Sequence, residues 1–187
     1  MIDVAQHIHS ASAGLPERYE LIDGALVKKA SPSGLHAGMQ LWFGHVLSPF
    51  WGERGQGRPG GWWFASEAEI EIAPGQKYLP DVAGWRLERV GLASLGERPI
   101  QIVPNWVCEI LSPSTSDRDL GTKQRNYHLA HVDHYWIVDP DQRTLAVLRR
   151  AKDGYTVVMS TGTEQPIQVE PFADVELDLD GLFAMLG

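Results

Sequence analysis

The stretch WVCEIL at residues 106–111 decides the fold of this chain, because it places one carboxylate within an otherwise apolar run. A short apolar run of this kind is typical of a strand that is buried on both faces of a sheet. An ionised carboxylate there is costly unless a cation or hydrogen-bond donors accompany it, so Glu109 marks a candidate functional site. Side chains alternate along a strand, and Cys108 is therefore predicted to face the opposite side as a small core residue.

The residues that follow predict a strand, helix, strand unit. A loop rich in serine and proline leads to a helix over 120–130, with Asp117 or Asp119 as its cap, and then to an apolar strand over 134–138. This order favours a crossover connection between two parallel strands. The sequence therefore predicts an α/β fold with a partly parallel sheet.

Upstream, the sequence predicts a β-hairpin and then an amphipathic helix. Asp23-Gly24 separates two apolar-rich runs within residues 19–29, which is the strongest local indication of a hairpin turn. From Ser33, the expected N-cap, apolar residues recur at helical spacing until Pro49.

A second carboxylate belongs to the next predicted strand pair. Alternation over 67–72 predicts a half-buried strand, which turns at Pro74-Gly75 into a partner strand over 78–85 that carries Asp81. On this interpretation the acids of the first strand form a solvated face; they are Glu67, Glu69 and Glu71.

The composition limits the class of protein. The chain has 187 residues and a mass of 20.8 kDa, which suits one globular domain. It has no apolar run of membrane-spanning length, no secretory signal at its start and a single cysteine. These features predict a cytoplasmic protein with no membrane partner.

The charge balance limits how the protein would meet a nucleic acid. A net charge of −8 at pH 7 and a pI of about 5.3 exclude a protein that coats nucleic acid unspecifically, since that mode needs many Lys and Arg residues. Positive charge near a phosphate must be local, and Arg118, Lys123 and Arg125 are its candidates.

Two strand-borne carboxylates with a lysine nearby are what metal-assisted phosphodiester hydrolysis needs. The acids hold Mg²⁺ (or Mn²⁺) through oxygen ligands, the ion acidifies a water, and the ammonium orients the nucleophile or offsets developing charge. Asp81 and Glu109 are the predicted metal ligands.

Several segments together resemble a known family. The matching stretches, in chain order, are YELIDG (19–24), His36, Pro80-Asp81, VCEILSPS (107–114), DLGTK (119–123) with Tyr127, and YWIVDP (135–140). They resemble the Uma-two family of bacterial proteins, formerly a domain of unknown function, within the PD-(D/E)xK nuclease superfamily.

The resemblance implies a fold and a domain organisation. The fold is an α/β, restriction-endonuclease-like mixed central sheet with flanking helices and additional β-hairpins. Residues 1–187 then form a single nuclease-like domain, with a core over about 19–140. Residues 141–187 form a C-terminal extension, in which 144–150 and 155–159 predict a hairpin and 181–186 a short helix.

The resemblance also implies roles for four residues. Asp81 and Glu109 bind the metal, Lys123 is the catalytic cation, and Glu20 is an additional acid that binds the metal or its water. The sequence departs from the usual Glu-x-Lys pattern, because Leu111 stands where the lysine is expected. The resemblance further places a helix-ending glycine and an acid where this chain has His131 and His134.

Each candidate also has a purely structural interpretation. Asp81 and Glu109 would then form hydrogen bonds or salt bridges at strand ends, and Lys123 would pair with Asp119 on a solvated helix face. Glu20 would be exposed beside its turn and His36 would bind a carbonyl group. The spacing of three further histidines resembles a zinc motif but fits a helix C-terminus better; they are His128, His131 and His134.

These observations predict a metal-dependent endonuclease acting on DNA. The alternatives are a non-catalytic binding module that keeps the nuclease fold, and a metal-dependent hydrolase of a smaller phosphoester. A homodimer is predicted because two-fold symmetry suits cleavage of both strands, with Trp62, Trp63 and the adjoining glycine-rich loop as an exposed patch. The two tryptophans also suit base stacking or core packing.

Overall fold

The central sheet has six strands, which span Trp62–Ala65 (β3), Val82–Arg86 (β6), Trp106–Ile110 (β7), His134–Asp139 (β8), Thr144–Ala151 (β9) and Gly154–Thr161 (β10). The computed structural model describes residues 18–55, 57–112, 119–161 and 166–185. The spatial order is β10-β9-β8-β7-β6-β3, and only the β7/β8 pair is parallel within these residues. The predicted mixed sheet is confirmed.

A second sheet forms beside the first from strands Tyr19–Ile22 (β1), Ala25–Lys28 (β2), Ile70–Ala73 (β4) and Gln76–Tyr78 (β5). Its order is β2-β1-β5-β4, and its pairs are antiparallel. The predicted hairpin β1/β2 turns at Asp23 and Gly24, whose φ angles of 49° and 81° suit the left-handed turn that twisted hairpins favour.

The connection between β7 and β8 contains the predicted helix. Asp119–Lys123 form a π-helical turn, which continues into the α-helix Gln124–Leu129 (α2). His131 then adopts a φ of 67°. This left-handed conformation is the one that favours glycine, so the histidine takes up the helix-ending geometry expected at that position.

The long helix Gly34–Val46 (α1) begins where the sequence predicts. The side chain of Ser33 accepts a hydrogen bond from the backbone N–H of His36 at 3.2 Å, which confirms the N-cap. The inner face of α1 buries Met39, Gln40 and Phe43. The helix therefore presents one polar group, Gln40, among apolar ones.

The central sheet separates two hydrophobic cores. Trp106, Cys108 and Ile110 of β7 belong to one core, whereas Val107 and Leu111 belong to the other. Cys108 is fully buried, as predicted for a core residue. By the alternation of the strand, Glu109 shares the side of Val107 and Leu111.

The predicted strand over 78–85 is wrong. β5 ends at Tyr78 in the hairpin sheet and β6 begins at Val82 in the central sheet, so Leu79–Asp81 cross from one sheet to the other. Pro80 has no N–H to donate to a ladder. The N–H and C=O of Leu79 bind the side chains of Glu20 and Lys29 instead of a partner strand.

The predicted solvated face of three glutamates is also wrong. Glu69 is only 5% exposed and accepts a hydrogen bond from Arg98 at 3.0 Å. Glu67 is partly buried, and Glu71 accepts from the N–H of Gly75. The backbone N–H of Glu71 donates to the carbonyl of Ile100 at 2.9 Å, so the segment at Ile100 lies beside β4. Period-two alternation alone predicts a strand with one exposed face and does not reveal this neighbouring segment.

Trp62 does not form the expected exposed patch. Its side chain is 2% exposed and packs on Phe172, with ring centroids 4.9 Å apart. Trp63, its neighbour, is partly exposed and contacts Trp51, which is 42% exposed. The glycine-rich loop before β3 thus leads directly into the core.

The C-terminal hairpin and helix are confirmed. β9 and β10 turn at Lys152-Asp153, one residue before the predicted Asp153-Gly154, and a helix spans Leu179–Ala184 (α3), capped by the side chain of Asp178. Ile167–Gln168 (β11) and Glu176–Leu177 (β12) pair as a small sheet. No helix among the described segments has both the length and the apolar character needed to cross a membrane.

Candidate active site

Asp81 lies at the crossing between the two sheets and is 2% exposed. Its Oδ2 atom accepts a hydrogen bond from the backbone N–H of Ile110 at 2.7 Å, which fixes the carboxylate beside the end of β7. Its Oδ1 atom is within reach of three side chains: Lys29 Nζ at 2.7 Å, His36 Nε2 at 3.1 Å and Gln40 Nε2 at 3.2 Å. The hairpin and helix α1 therefore converge on this acid.

These contacts keep Asp81 ionised. Burial acts to raise the pKa of its carboxyl group, but the hydrogen bond from His36 and the charge of Lys29 outweigh it and bring the pKa well below its usual value. Asp81 is therefore a carboxylate at neutral pH, which is the form that binds a metal.

Glu109 lies in the middle of the parallel pair and is 1% exposed. Its Oε1 atom accepts hydrogen bonds from Lys123 Nζ at 3.1 Å and from the hydroxyl group of Tyr127 at 2.9 Å. Burial and the charge of Glu109 raise the pKa of Tyr127 well above its usual value, so the phenol stays protonated and donates a hydrogen bond to Glu109. The crossover helix thus supplies both partners of this acid.

Lys123 joins Glu109 to Glu20. Its Nζ atom is 3.0 Å from Glu20 Oε1 and 3.1 Å from Glu109 Oε1, and the lysine is 1% exposed. Glu20 Oε1 also accepts from the N–H of Leu79 at 3.0 Å. The lysine therefore reaches the acid from the helix, while Leu111, in the Glu-x-Lys position, packs into the apolar core around Tyr127.

The structure brings all four predicted site residues into one buried cluster. Glu20 is fully buried rather than exposed beside its turn. Lys123 binds two carboxylates inside the protein rather than lying on a solvated helix face. Leu79 and Ile110 connect the Asp81 half to the Glu20 and Glu109 half through backbone N–H groups.

The donor set suits a hard divalent cation. Asp81, Glu109 and Glu20 supply carboxylate oxygens, and Mg²⁺ in proteins is held by one or two carboxylates together with water. Glu20 Oε2 is buried and has no hydrogen-bond partner among the described residues. Such an atom is costly unless a further group binds it. No group of three or more His, Cys, Asp or Glu side chains in the described part has metal-binding geometry. Lys29 and Lys123 lie among the acids.

Sequence reasoning missed three residues of the site: Lys29, Gln40 and Glu67. Gln40 Nε2 links Asp81 Oδ1 at 3.2 Å to Glu67 Oε1 at 3.1 Å, and Lys29 Nζ lies 3.5 Å from the same Glu67 atom. Two signals were available. Gln40 is one helical turn beyond His36, and Lys29 is two residues beyond Val27, the cross-strand partner of Glu20.

The histidines divide between site and surface. His36 contacts the carboxylate of Asp81 rather than a carbonyl group. His128 binds the carbonyl of Ala151 at 2.9 Å, and His134 lies 3.6 Å from Glu170, so these two belong to separate contacts and not to a zinc site. Arg125 is exposed and pairs with Asp23 at 2.8 Å, and Arg118 lies outside the described residues.

A groove adjoins the Asp81 half of the site. Gln40, Ser66 and Val82 line it together with the exposed Leu41 and Trp51. Ser66 donates a hydrogen bond to the backbone carbonyl of Asp81 at 2.9 Å, and Gln40 contacts the carboxylate of Asp81. The groove therefore lies beside Asp81.

The mixed sheet, its parallel β7/β8 pair and the flanking helices define the class of the protein, a restriction-endonuclease-like α/β fold. The chain belongs to the Uma2 family, described as "putative restriction endonuclease", whose model matches residues 6–180.

The chain is also similar to a solved structure. The structure is that of a nuclease described as "putative", belonging to DUF820, from Anabaena variabilis; it is 22% identical, covers 100% of both chains and has a TM-score of 0.70. At this identity the likeness concerns the fold. No curated protein matches the chain.

Proposed function

We propose that this protein is a divalent-metal-dependent endonuclease that hydrolyses phosphodiester bonds in DNA. The observation that carries the proposal is the position of Lys123, which is held between the buried carboxylates of Glu20 and Glu109. A buried lysine on two acids, beside a third acid at the crossing of two sheets, is an unusual arrangement for stability alone. It supplies the ligands and the positive charge that phosphodiester hydrolysis needs.

The residues have separate tasks in this proposal. Asp81 and Glu109 would hold Mg²⁺ or Mn²⁺. Glu20 would bind the metal, or accept a hydrogen bond from its water, through Oε2, which has no hydrogen-bond partner among the described residues. When bound, the cation supplies Lewis-acid chemistry and a more acidic water. Lys123 places positive charge where the transition state gains negative charge.

Other residues hold the acids in position. Tyr127 fixes one oxygen of Glu109, and the backbone N–H of Ile110 fixes one oxygen of Asp81. His36 and Gln40 orient the second oxygen of Asp81 from helix α1. The groove past Gln40 and Ser66 offers a nucleic acid a path to the site, which is consistent with local contact by an acidic protein.

The test is a cleavage assay on supercoiled plasmid, linear duplex and single-stranded DNA with Mg²⁺, with Mn²⁺ and with a chelator. We expect metal-dependent cleavage by the wild type and a loss of about 10²-fold or more in Glu109→Gln. Glu71→Gln changes an acid of strand β4 that accepts from the Gly75 N–H and is not one of the four predicted site residues; it is the matched control and should cleave normally. Equal cleavage by Glu109→Gln refutes the proposal, and DNA binding without cleavage favours the binding module.

We also propose that the endonuclease acts as a homodimer, since two sites related by a two-fold axis suit cleavage of both strands. With Trp62 buried, the exposed aromatic surface available for self-association is Trp51 with its neighbour Trp63. Light scattering at micromolar concentration should give twice 20.8 kDa, and a particle of 20.8 kDa alone contradicts the dimer.

A further inference from the structure

Lys29 is a buried lysine at the candidate site, and it is not among the four predicted site residues. It is 7% exposed, and its Nζ atom lies 2.7 Å from Asp81 Oδ1 and donates to the carbonyl of Leu79. Its position follows from the hairpin: it continues β2 through Lys29 N to Arg18 O at 2.8 Å. The ammonium group therefore sits directly on a predicted metal ligand.

The charge of Lys29 lies between two carboxylates. Its Nζ atom is 2.7 Å from Asp81 Oδ1 and 3.5 Å from Glu67 Oε1, and the side chain is an ammonium at neutral pH. It provides in the metal-free protein part of the positive charge that a divalent cation would provide.

The two cations would compete for the same carboxylate. Oδ1 of Asp81 is within reach of Lys29, His36 and Gln40, and Oδ2 accepts from the N–H of Ile110. A divalent cation held by Asp81 would therefore lie close to the Lys29 ammonium on either oxygen. Two positive charges at one carboxylate repel each other.

A second acceptor for Lys29 lies next to the first. Glu67 Oε1 is 3.5 Å from Lys29 Nζ, and Gln40 joins Glu67 to Asp81 through hydrogen bonds of 3.1 and 3.2 Å. The lysine stem is flexible, so its ammonium can exchange one carboxylate for the other while remaining paired.

We propose that Lys29 is a built-in counter-cation of the metal-free site, which competes with the divalent cation for Asp81 and transfers to Glu67 when that cation binds. This inference rests on the proposed function, since it presupposes a metal at Asp81. Lys29 is a positioning residue: it stabilises the acids before the metal arrives and sets how tightly the metal is held.

The first experiment measures Mn²⁺ binding by titration calorimetry, and melting with and without Mn²⁺, for wild type and Lys29→Met. We expect Lys29→Met to bind Mn²⁺ about tenfold or more tightly, because one repelling charge is gone. Its melting temperature should be lower than that of the wild type without metal, and Mn²⁺ should raise it by more. Lys77→Met, which removes another buried lysine, is the control. Lys77 lies on strand β5 opposite Leu21, so its side chain is on the face of the sheet that Leu21 shares and Glu20 does not. This variant should bind Mn²⁺ like the wild type.

The second experiment tests the transfer with Glu67→Gln in both backgrounds. Loss of the accepting carboxylate should weaken Mn²⁺ binding severalfold when Lys29 is present and leave it unchanged in the Lys29→Met background. Equal weakening in both backgrounds overturns the transfer. Lys29→Gln, which keeps a donor for Leu79, is the second neutral variant and carries the same expectation if Lys29→Met does not fold.

The outcomes separate this inference from the proposed function. A wild type that binds Mn²⁺ and cleaves DNA, beside a folded Lys29→Met with equal or weaker binding, overturns the role of Lys29 alone. Binding by Lys29→Met but not by the wild type supports the competition and argues against metal-dependent cleavage by the native protein. Absence of binding in both proteins overturns both proposals.

Discussion

The two faces of the central sheet differ in where tyrosine is buried. On the face of Cys108 the large rings are tryptophan and phenylalanine, among them Trp106, Trp136 and Phe172. On the face of Glu109 the described core contains one buried tryptophan, Trp85, and three buried tyrosines: Tyr78, Tyr127 and Tyr135. Phenols pack like phenylalanine but also donate hydrogen bonds, so they can lie beside carboxylates. Alternate residues of β7 therefore belong to an apolar core and to the candidate site.

The largest expected effect is that of Lys123→Met, on the face of the central sheet that carries Glu109. The change leaves Glu20 and Glu109 without the ammonium between them. Without metal, the free energy of unfolding should fall by ~3–5 kcal/mol, because two buried charges lose their shared partner. Cleavage should fall by ~10²- to 10³-fold. Urea denaturation and the plasmid assay measure the two effects.

A double variant separates those effects. Lys123→Met with Glu20→Gln removes one acid together with the lysine, so it should regain much of the stability but none of the cleavage. A single Lys123→Met variant that is as stable and as active as the wild type would remove the lysine from both tasks.

Phe172→Ala changes the core on the Cys108 face of the central sheet and should reduce stability without changing cleavage. The ring packs on Trp62 and Trp106, with centroids 4.9 and 5.2 Å away, and its loss should cost ~3–5 kcal/mol. Cleavage per folded molecule should be unchanged, because the carboxylates lie on the other side of the sheet. Leu92→Ala, at a side chain that is 61% exposed, is the control and should change stability little. A parallel loss of specific activity in Phe172→Ala would show that the faces are coupled.

The smallest effect concerns Tyr78 at alkaline pH. Burial raises the pKa of Tyr78 to about 12, and its hydroxyl group contacts Asn126 at 2.8 Å. The folded pKa lies above the unfolded value of 10.0, so its contribution is complete below pH 10 and is lost as the pH rises toward 12. The loss should reach up to about 2 kcal/mol, and Tyr78→Phe should reduce it. Identical stability–pH curves for the two proteins would contradict this assignment.

The sequence predicted those parts of the fold that local patterns determine. The apolar run of β7, the helical spacing before β8 and the Asp23-Gly24 turn each describe one element, and each is confirmed. The strand over 78–85 was wrong because alternation continues across Leu79–Asp81 while the hydrogen-bond partners change from one sheet to the other.

The site was predictable only where a residue stood out in its own element or matched the family pattern. Glu109 and Asp81 did so within predicted strands, and the roles of Lys123 and Glu20 followed from the resemblance. Lys29 looks like one of two adjacent surface lysines, and only the fold of the hairpin over Asp81 buries it. Glu67 appeared to belong to a solvated strand, because side chains that contact it, such as Gln40 and Lys29, lie far from it in the sequence.

The segment Leu79–Asp81 gives the protein a mechanical property. Leu79 binds Glu20 and Lys29, both from the hairpin sheet or its extension, whereas Asp81 is anchored to Ile110 of the central sheet. Three consecutive residues thus link groups that belong to different sheets. A movement of one sheet relative to the other would first change the spacing of the acids. The site should consequently lose its alignment at temperatures or denaturant concentrations at which each sheet is still intact.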